Sequence, residues 1–464
     1  MMVAAFLRRV GALAVCLGML AACSSRQAAL VPDSPGALSS MLEANASGPY
    51  ATTLKYVVEF YPLWFYTAQS QHASVNQLIG PDRISPVYRT VVAINDDTLY
   101  ASTFVDVSKE PLILTVPSTR LIFSVAVVDM FGDIFDTGIS GSGVYGFTGP
   151  GWNGTLPSGV TQVALPDDFM AIAVRSDKYS PSGANQKIQS QIFRKNLRAT
   201  PLSEYGTDPQ AGATHVIPVA FFGIPYKQIA DDLATKHPIE FLTMLQQYVA
   251  ASSTPPLSTA EQALSARFNA YFNAQNRDTA AIESAARAAH QKILDYYLNH
   301  TGKTSWIDFV FNGNFNGNPL LRSAIAEFIQ VGNDHATAAY YQAFKDGKGV
   351  ALDGSSHAYV LTFAAGQTPQ AKRFWSVTAY VPNSIELHRN SLHKYLVGSY
   401  TPGLQKARNG SISIYMAPQQ PKGVPTANWL PVPKGPFNVM LRVYGPEGSV
   451  KTGTYVPPAI GIYR

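Results

Sequence analysis

Hydrophobic and polar positions along the 464 residues follow two periods, and the switches between them divide the chain. From Ala51 to Gln71 the residues Leu54, Val57, Val58, Phe60, Tyr61, Leu63, Trp64 and Phe65 predict a buried helix. Pro62 should kink or end it, because proline lacks the N–H of a helical hydrogen bond. From about residue 85 to 176 the pattern changes to short runs of Val, Ile, Thr and aromatics, broken by Gly, Pro, Asp and Ser. Strands are expected at Val87 to Ile94, Leu99 to Val107, Leu112 to Val116, Leu121 to Val128, Val144 to Thr148, Val160 to Leu165 and Met170 to Arg175. No helix-length crossover separates them, which favours a β-sandwich over a parallel sheet.

Between about 183 and 345 the period becomes helical. Ser258-Thr259-Ala260-Glu261 is a capping box, in which serine and glutamate each satisfy a free backbone N–H. Ile282, Ala286, Ala289, Ile293 and Tyr297 line one face of a helix beginning near Asp278 and ending near Gly302. Further helices are expected over Leu320 to Gln330 and Ala336 to Phe344. Strands return at Tyr359 to Phe363, Phe374 to Tyr380, Ser411 to Met416 and Phe437 to Val443. The expected class is α+β, mainly β: a β-domain over 49–182, a helical segment over 183–347 and a second β-domain over 348–464.

The N-terminus adds a location. Arg8 and Arg9 precede an apolar run from Val10 to Leu20, too short to span a bilayer comfortably, and Leu20-Ala21-Ala22-Cys23 reads as a lipoprotein export signal. Residues 1–22 would then be a signal peptide, Cys23 the acylated N-terminus and 23–48 a tether. Cleavage as an ordinary signal peptide nearby is the alternative. The other cysteine, Cys16, lies in the discarded segment, which leaves no intrachain disulfide and no cysteine metal site. Ser24 after the cysteine points to the outer membrane of a bacterial envelope. The net charge of +5 falls to about +3 without Arg8 and Arg9, which is no nucleic-acid footprint.

Common catalytic motifs are missing: there is no G-x-S-x-G, H-E-x-x-H or Walker A sequence. Gly141-Ser142-Gly143-Val144-Tyr145-Gly146 fits a dinucleotide fingerprint, but the following Phe147-Thr148-Gly149-Pro150 cannot open a helix, so a β-turn is expected. His388 and His393 lack an evident third ligand, and neither a metal nor a cofactor is expected. Asn95-Asp96-Asp97-Thr98-Leu99-Tyr100, with Asp129 at the end of an apolar run and Arg175, could form an acid/base site, since burial raises a carboxyl pKa and an arginine lowers it. The same residues could equally be a hydrogen-bonded turn. Trp375, Tyr380, Trp429 and Arg442 suit a flat or sugar-like ligand through stacking and bidentate hydrogen bonds, or serve as core residues.

Several of these stretches also carry a resemblance. Asn95-Asp96-Asp97-Thr98-Leu99-Tyr100, Phe104-Val105-Asp106-Val107-Ser108, Pro111 to Pro117, Gly149-Pro150-Gly151-Trp152 and Arg175 resemble the domain of unknown function 1254. Leu352-Asp353-Gly354, Phe374 to Thr378, Tyr395, Thr401-Pro402-Gly403-Leu404, Gly410 to Tyr415, Asn428 to Phe437 and Leu441-Arg442-Val443-Tyr444 resemble its companion, the domain of unknown function 1214. The resemblance implies an N-terminal immunoglobulin-like β-sandwich, a helical middle and a C-terminal jelly-roll-like domain, with no established activity. One departure is Asp96, where the family usually carries a basic residue.

These features lead to the expectation of a lipid-anchored envelope protein that binds a small or oligomeric ligand, such as a saccharide, in a cleft between the β-domains. Asn95, Tyr100, Trp375, Tyr380, Trp429 and Arg442 would contact that ligand. A hydrolase or lyase using Asp97 or Asp129 as general acid/base with Arg175, and a purely structural or partner-binding lipoprotein, are the alternatives. The membrane is an expected partner through Cys23, nucleic acid is not, and oligomeric state is left open.

Overall fold

The computed structural model describes residues 48–81, 88–208, 223–309, 313–315, 317–382 and 386–463. They fall within one folded unit, Ser47–Arg464. The first helix, α1 (Pro49–Ser70), is buried along nearly its whole length from Tyr56 to Gln69, as expected for a helix apolar on every side. It runs through Pro62 rather than ending there. Proline cannot donate to the Val58 carbonyl four residues back, and the Ser323 hydroxyl donates to it instead at 2.7 Å.

Seven more helices among the described residues lie between positions 187 and 328: α2 (Lys187–Asn196), α3 (Leu202–Tyr205), α4 (Tyr226–Lys236), α5 (Pro238–Val249), α6 (Thr259–Phe272), α7 (Thr279–Leu298) and α8 (Pro319–Phe328). Although α1 precedes the first β-unit in the chain, it packs against α4, α5, α6, α7 and α8 and forms the centre of the helical layer. The capping box is present: Ser258 Oγ accepts from the Glu261 N–H at 3.3 Å and Glu261 Oε2 accepts from the Ser258 N–H at 2.7 Å. A last short helix, α9, covers Gly448–Lys451. Among the described residues, no helix is long and apolar enough to cross a membrane.

The first β-unit contains two four-stranded sheets. One has the order β1 (Thr98–Asp106), β7 (Phe169–Asp177), β3 (Phe123–Val128), β4 (Ile134–Phe135); the other runs β6 (Val160–Ala164), β5 (Gly143–Thr148), β2 (Leu112–Val116), β8 (Arg198–Pro201). Ala101, Val105, Met170 and Val174 from the first sheet share a core with Leu112, Leu114, Phe147 and Ala199 from the second. The glycine-rich segment leads into β5, as the turn expectation requires, and not into a helix.

The second β-unit pairs a six-stranded sheet with a four-stranded one. The larger has the order β13 (Glu386–Leu387), β12 (Ala371–Val381), β17 (Asn438–Pro446), β10 (Ala338–Ala343), β9 (Ile307–Asp308), with β14 (Leu396–Gly398) also on β12. The smaller runs β16 (Trp429–Pro431), β15 (Ile412–Ala417), β11 (Tyr359–Phe363), β18 (Gly461–Ile462). Trp375, Val377 and Ala379 of β12 and Val439, Leu441 and Val443 of β17 face the shared core.

The fold is thus α+β, with two expectations overturned. The helix expected over Ala336 to Phe344 is strand β10, held on one side by β17 and on the other by β9. Its short apolar run is as compatible with a doubly buried strand as with a helix, and its pairing decided. The strand expected at Val87 to Ile94 is also not formed: Val87 lies outside the described residues, and 88–94 are turns and irregular backbone.

Candidate functional site

The outer face of the larger sheet in the second unit carries Ser376, Thr378 and Tyr380 from β12 and Arg442 and Tyr444 from β17, all buried. Against this face lies the segment 93–98. Asn95 Oδ1 accepts from the N–H groups of Asp97 at 2.9 Å and Thr98 at 3.1 Å, which bends the chain and turns Asp97 toward the second unit. Asp97 is fully buried and accepts from Ser376 Oγ at 2.9 Å, from Tyr444 at 3.3 Å and from Tyr400. Burial raises its pKa, and the Tyr400 hydrogen bond and Arg442 charge offset only part of that. Arg442 donates to Tyr380 at 2.7 Å and to the Ala93 carbonyl, and Tyr380 donates to the Ile94 carbonyl at 2.8 Å. Arg373 clasps Asp177 through two nitrogens, and Lys178 pairs with Asp96 at 2.5 Å.

This seam closes the boundary between the β-units around Asp97 where a cleft was expected. Asn95, Asp97, Tyr380 and Arg442 are hydrogen-bonded to one another's segments. Asp96, the departure from the family pattern, is neutralised by Lys178. Trp375 packs on Phe363 in the core at 5.1 Å between ring centroids, and Trp429 donates to the Ala417 carbonyl at 2.9 Å, so neither belongs to this seam. Cys23 lies outside the described residues.

A partly enclosed cleft of about 80 Å³ lies elsewhere, on the outer face of the first sheet. Strand alternation puts Tyr100, Ser102 and Phe104 of β1 and Ala171, Ala173 and Arg175 of β7 on that face, opposite the core shared by the two sheets. The end of α1 covers it with Tyr66 and Gln69, and Ile79, Ile94 and Val331 close the sides. The walls are largely apolar. Arg175 sits at the polar end, buried, donating to Asn333 Oδ1 at 2.9 Å and to the Val331 carbonyl at 2.6 Å, with its guanidinium carbon 5.4 Å from the Tyr100 ring centroid. Two non-glycine residues beside the cleft have left-handed backbones, Ala93 with φ 54° and Val331 with φ 56°. Their carbonyls are the ones held by Arg442 and Arg175.

Asp129 has a third setting. Its Oδ1 accepts from the N–H groups of Phe131 and Asp133, both at 2.9 Å, in a tight turn through Gly132 at φ 94°. Burial, reinforced by the Asp133 charge, raises its pKa to about 7. Among the described residues Asp97, Asp129 and Arg175 share no hydrogen bond or ion pair with one another. Of the expected site residues, only Tyr100 and Arg175 come together in the cleft.

Sequence reasoning missed a charged cluster in the helical layer. Lys227 of α4 pairs with Glu327 of α8 and with Asp231 at 3.0 Å, His290 of α7 lies 3.1 Å from Asp231, and Tyr61 donates to Glu327 at 2.6 Å. Burial raises the Glu327 pKa, while for Asp231 the His290 and Lys227 contacts outweigh burial and lower it. Asp231, His290 and Glu327 are close enough to hold a metal ion, but the Lys227 ammonium already supplies the cation between the two carboxylates. A visible signal was Glu327 itself, a lone carboxylate within Ala324-Ile325-Ala326-Glu327-Phe328.

Residues 75–201 match the protein family of unknown function DUF1254, and residues 337–448 match the protein family of unknown function DUF1214. The first match contains both cleft strands; the second contains β10, β12 and β17 of the seam. The fold is similar to the crystal structure of the VPA0106 protein from Vibrio parahaemolyticus, with TM-score 0.55 and 20% identity over 90% of this chain and 100% of that one. A putative uncharacterized protein from Burkholderia cenocepacia gives TM-score 0.42 and 15% identity over 93% and 90% of the two chains. No curated protein matches the chain.

Proposed function

We propose that this chain, which belongs to the family joining a DUF1254 domain to a DUF1214 domain, is a lipid-anchored protein of the bacterial cell envelope that binds a small, largely apolar ligand. The N-terminal segment ending in Leu20-Ala21-Ala22-Cys23 supports the anchor, and Ser24 favours the outer membrane. The observation that carries the binding role is the cleft of about 80 Å³ between the first sheet and the end of α1, apolar along its walls and with Arg175 and Tyr100 at one end. Such a shape suits recognition by apolar contact with a few orienting polar groups. The seam around Asp97 holds the two β-units together and keeps the 93–98 segment, one wall of the cleft, in place.

Two measurements test this reading. Purified full-length chain, screened against small apolar molecules by thermal shift and ligand-observed NMR, should give binders that Ala171→Phe abolishes by filling the cleft. Binders unaffected by that substitution would overturn the assignment of the cleft. Metabolic labelling with an alkyne fatty acid should tag the chain and leave Cys23→Ser untagged; equal labelling of both would remove the anchor.

A further inference from the structure

Arg175 differs from three other buried cations, and from Arg442, whose hydrogen-bond partners are also neutral but on whose charge the nearby Asp97 carboxylate acts. Lys178 has Asp96, Arg373 has Asp177, and Lys227 has Glu327 and Asp231. Arg175 is 4% exposed, and its hydrogen-bond partners are neutral: the Asn333 amide and the Val331 carbonyl. No carboxylate among the described residues lies within ion-pair distance of it. A guanidinium carries five N–H donors, and these two bonds leave others uncommitted. A buried charge normally has a counter-charge, since removing it from water without one is costly. The neutral partners hold the side chain in place, and they leave its charge uncompensated at the end of an apolar cleft.

We infer that the cleft takes a small carboxylate-headed molecule, its carboxylate on Arg175 and its apolar body over Ala171, Ala173, Ile79 and Phe104. This deepens the binding role proposed above and rests on it. A planar carboxylate matches the guanidinium fork, and Tyr100 beneath the guanidinium leaves its edge available for that contact. The volume of about 80 Å³ is roughly half that of an engineered cavity able to hold benzene, so the enclosed part of the ligand is short. A larger body would have to extend through the open side.

The test compares hexanoate and benzoate with hexanamide and benzamide on the full-length chain by titration calorimetry and ligand-observed NMR. The two acids separate an aliphatic from an aromatic source of the same headgroup. At least one acid should bind about tenfold or more tightly than its amide, as expected when a hydrogen bond to a charge is lost, and added salt should weaken it. Arg175→Gln should erase the acid preference. Ala173→Phe, which leaves Arg175 intact, should remove binding of both. If the amides bind as well as the acids, the carboxylate inference fails while the cleft stands. Acid binding that survives Ala173→Phe would place the anion elsewhere and overturn it. If neither acids nor amides bind, the inference fails, and the wider screen against Ala171→Phe decides the cleft separately.

Discussion

Ser376 Oγ donates to Asp97 Oδ2 at 2.9 Å, joining residues 279 positions apart in sequence across the boundary of the two β-units. Tyr400 and Tyr444 donate to the same carboxylate, so a single side chain from the 93–98 segment collects three hydroxyls from the second unit. Asp97 therefore serves as an attachment point between the units. Fully buried, it meets these hydroxyls and not solvent.

Asp97→Ala should destabilise the fold by about 3–5 kcal/mol, because three buried hydroxyls lose their acceptor at once. Ser376→Ala, which removes one donor, should cost about 1 kcal/mol. Asp97→Asn keeps an acceptor oxygen and should fall between them. Urea unfolding of the three variants checks the order. Equal stability of Asp97→Ala and the parent would show that the seam contributes nothing.

Asp129 gives a pH dependence. Its folded pKa of about 7 lies above the ordinary aspartate value of 3.8. The stability linked to that raised pKa is fully present below about 3.8, drains as pH rises, and is gone once pH passes about 7. Asparagine retains the oxygen that accepts both turn N–H groups and never ionises. Asp129→Asn should therefore gain stability relative to the parent between pH 5 and pH 8, by up to about 3 kcal/mol. Melting temperatures of both proteins across that range check this, and a constant difference would mean that the carboxylate is already ionised throughout.

In the helical layer, Lys227→Met should cost about 3–5 kcal/mol by leaving Glu327 and Asp231 without their cation. Adding Glu327→Leu should return most of that loss, since it removes the stranded buried carboxylate. Denaturant unfolding in a double-mutant cycle measures the coupling. If the two substitutions simply add, the pair is not a stabilising unit. EDTA should leave the parent's melting temperature unchanged, as Lys227 already pairs with both carboxylates that a metal would need.

Strand position was legible where one face meets a core and the other is polar. Tyr359 to Phe363 was located to the residue for that reason, whereas Leu112 to Val116, also located to the residue, is an apolar run buried on both faces. In β12 the polar face of Ser376, Thr378 and Tyr380 is buried against the first unit. Polarity along a strand cannot distinguish water from another domain's hydrogen-bonding groups. Tyr100 and Arg175, 75 positions apart in sequence, are brought together as cross-strand partners by β-pairing, which the motif alone does not reveal. Lys227 and Glu327 stayed hidden because 100 residues separate them, and only the packing of α4 and α8 around α1 brings them into contact.

The last prediction concerns Val331. A β-branched residue at φ 56° is held in a region that L-residues avoid at a cost of roughly 1–2 kcal/mol. The contact that holds it there is visible: its carbonyl accepts from Arg175 at 2.6 Å, while its side chain lines the cleft. Truncation should then reverse the usual order, in which alanine is better tolerated than glycine. Val331→Ala loses the side chain's contacts and keeps the steric conflict of a Cβ; Val331→Gly loses the same contacts and releases the conflict. Glycine should be more stable than alanine by about 1 kcal/mol, read from urea unfolding with unchanged slopes. Alanine as the more stable variant would show that the 331 backbone relaxes out of the left-handed region, and with it that Arg175 does not hold the loop against the cleft.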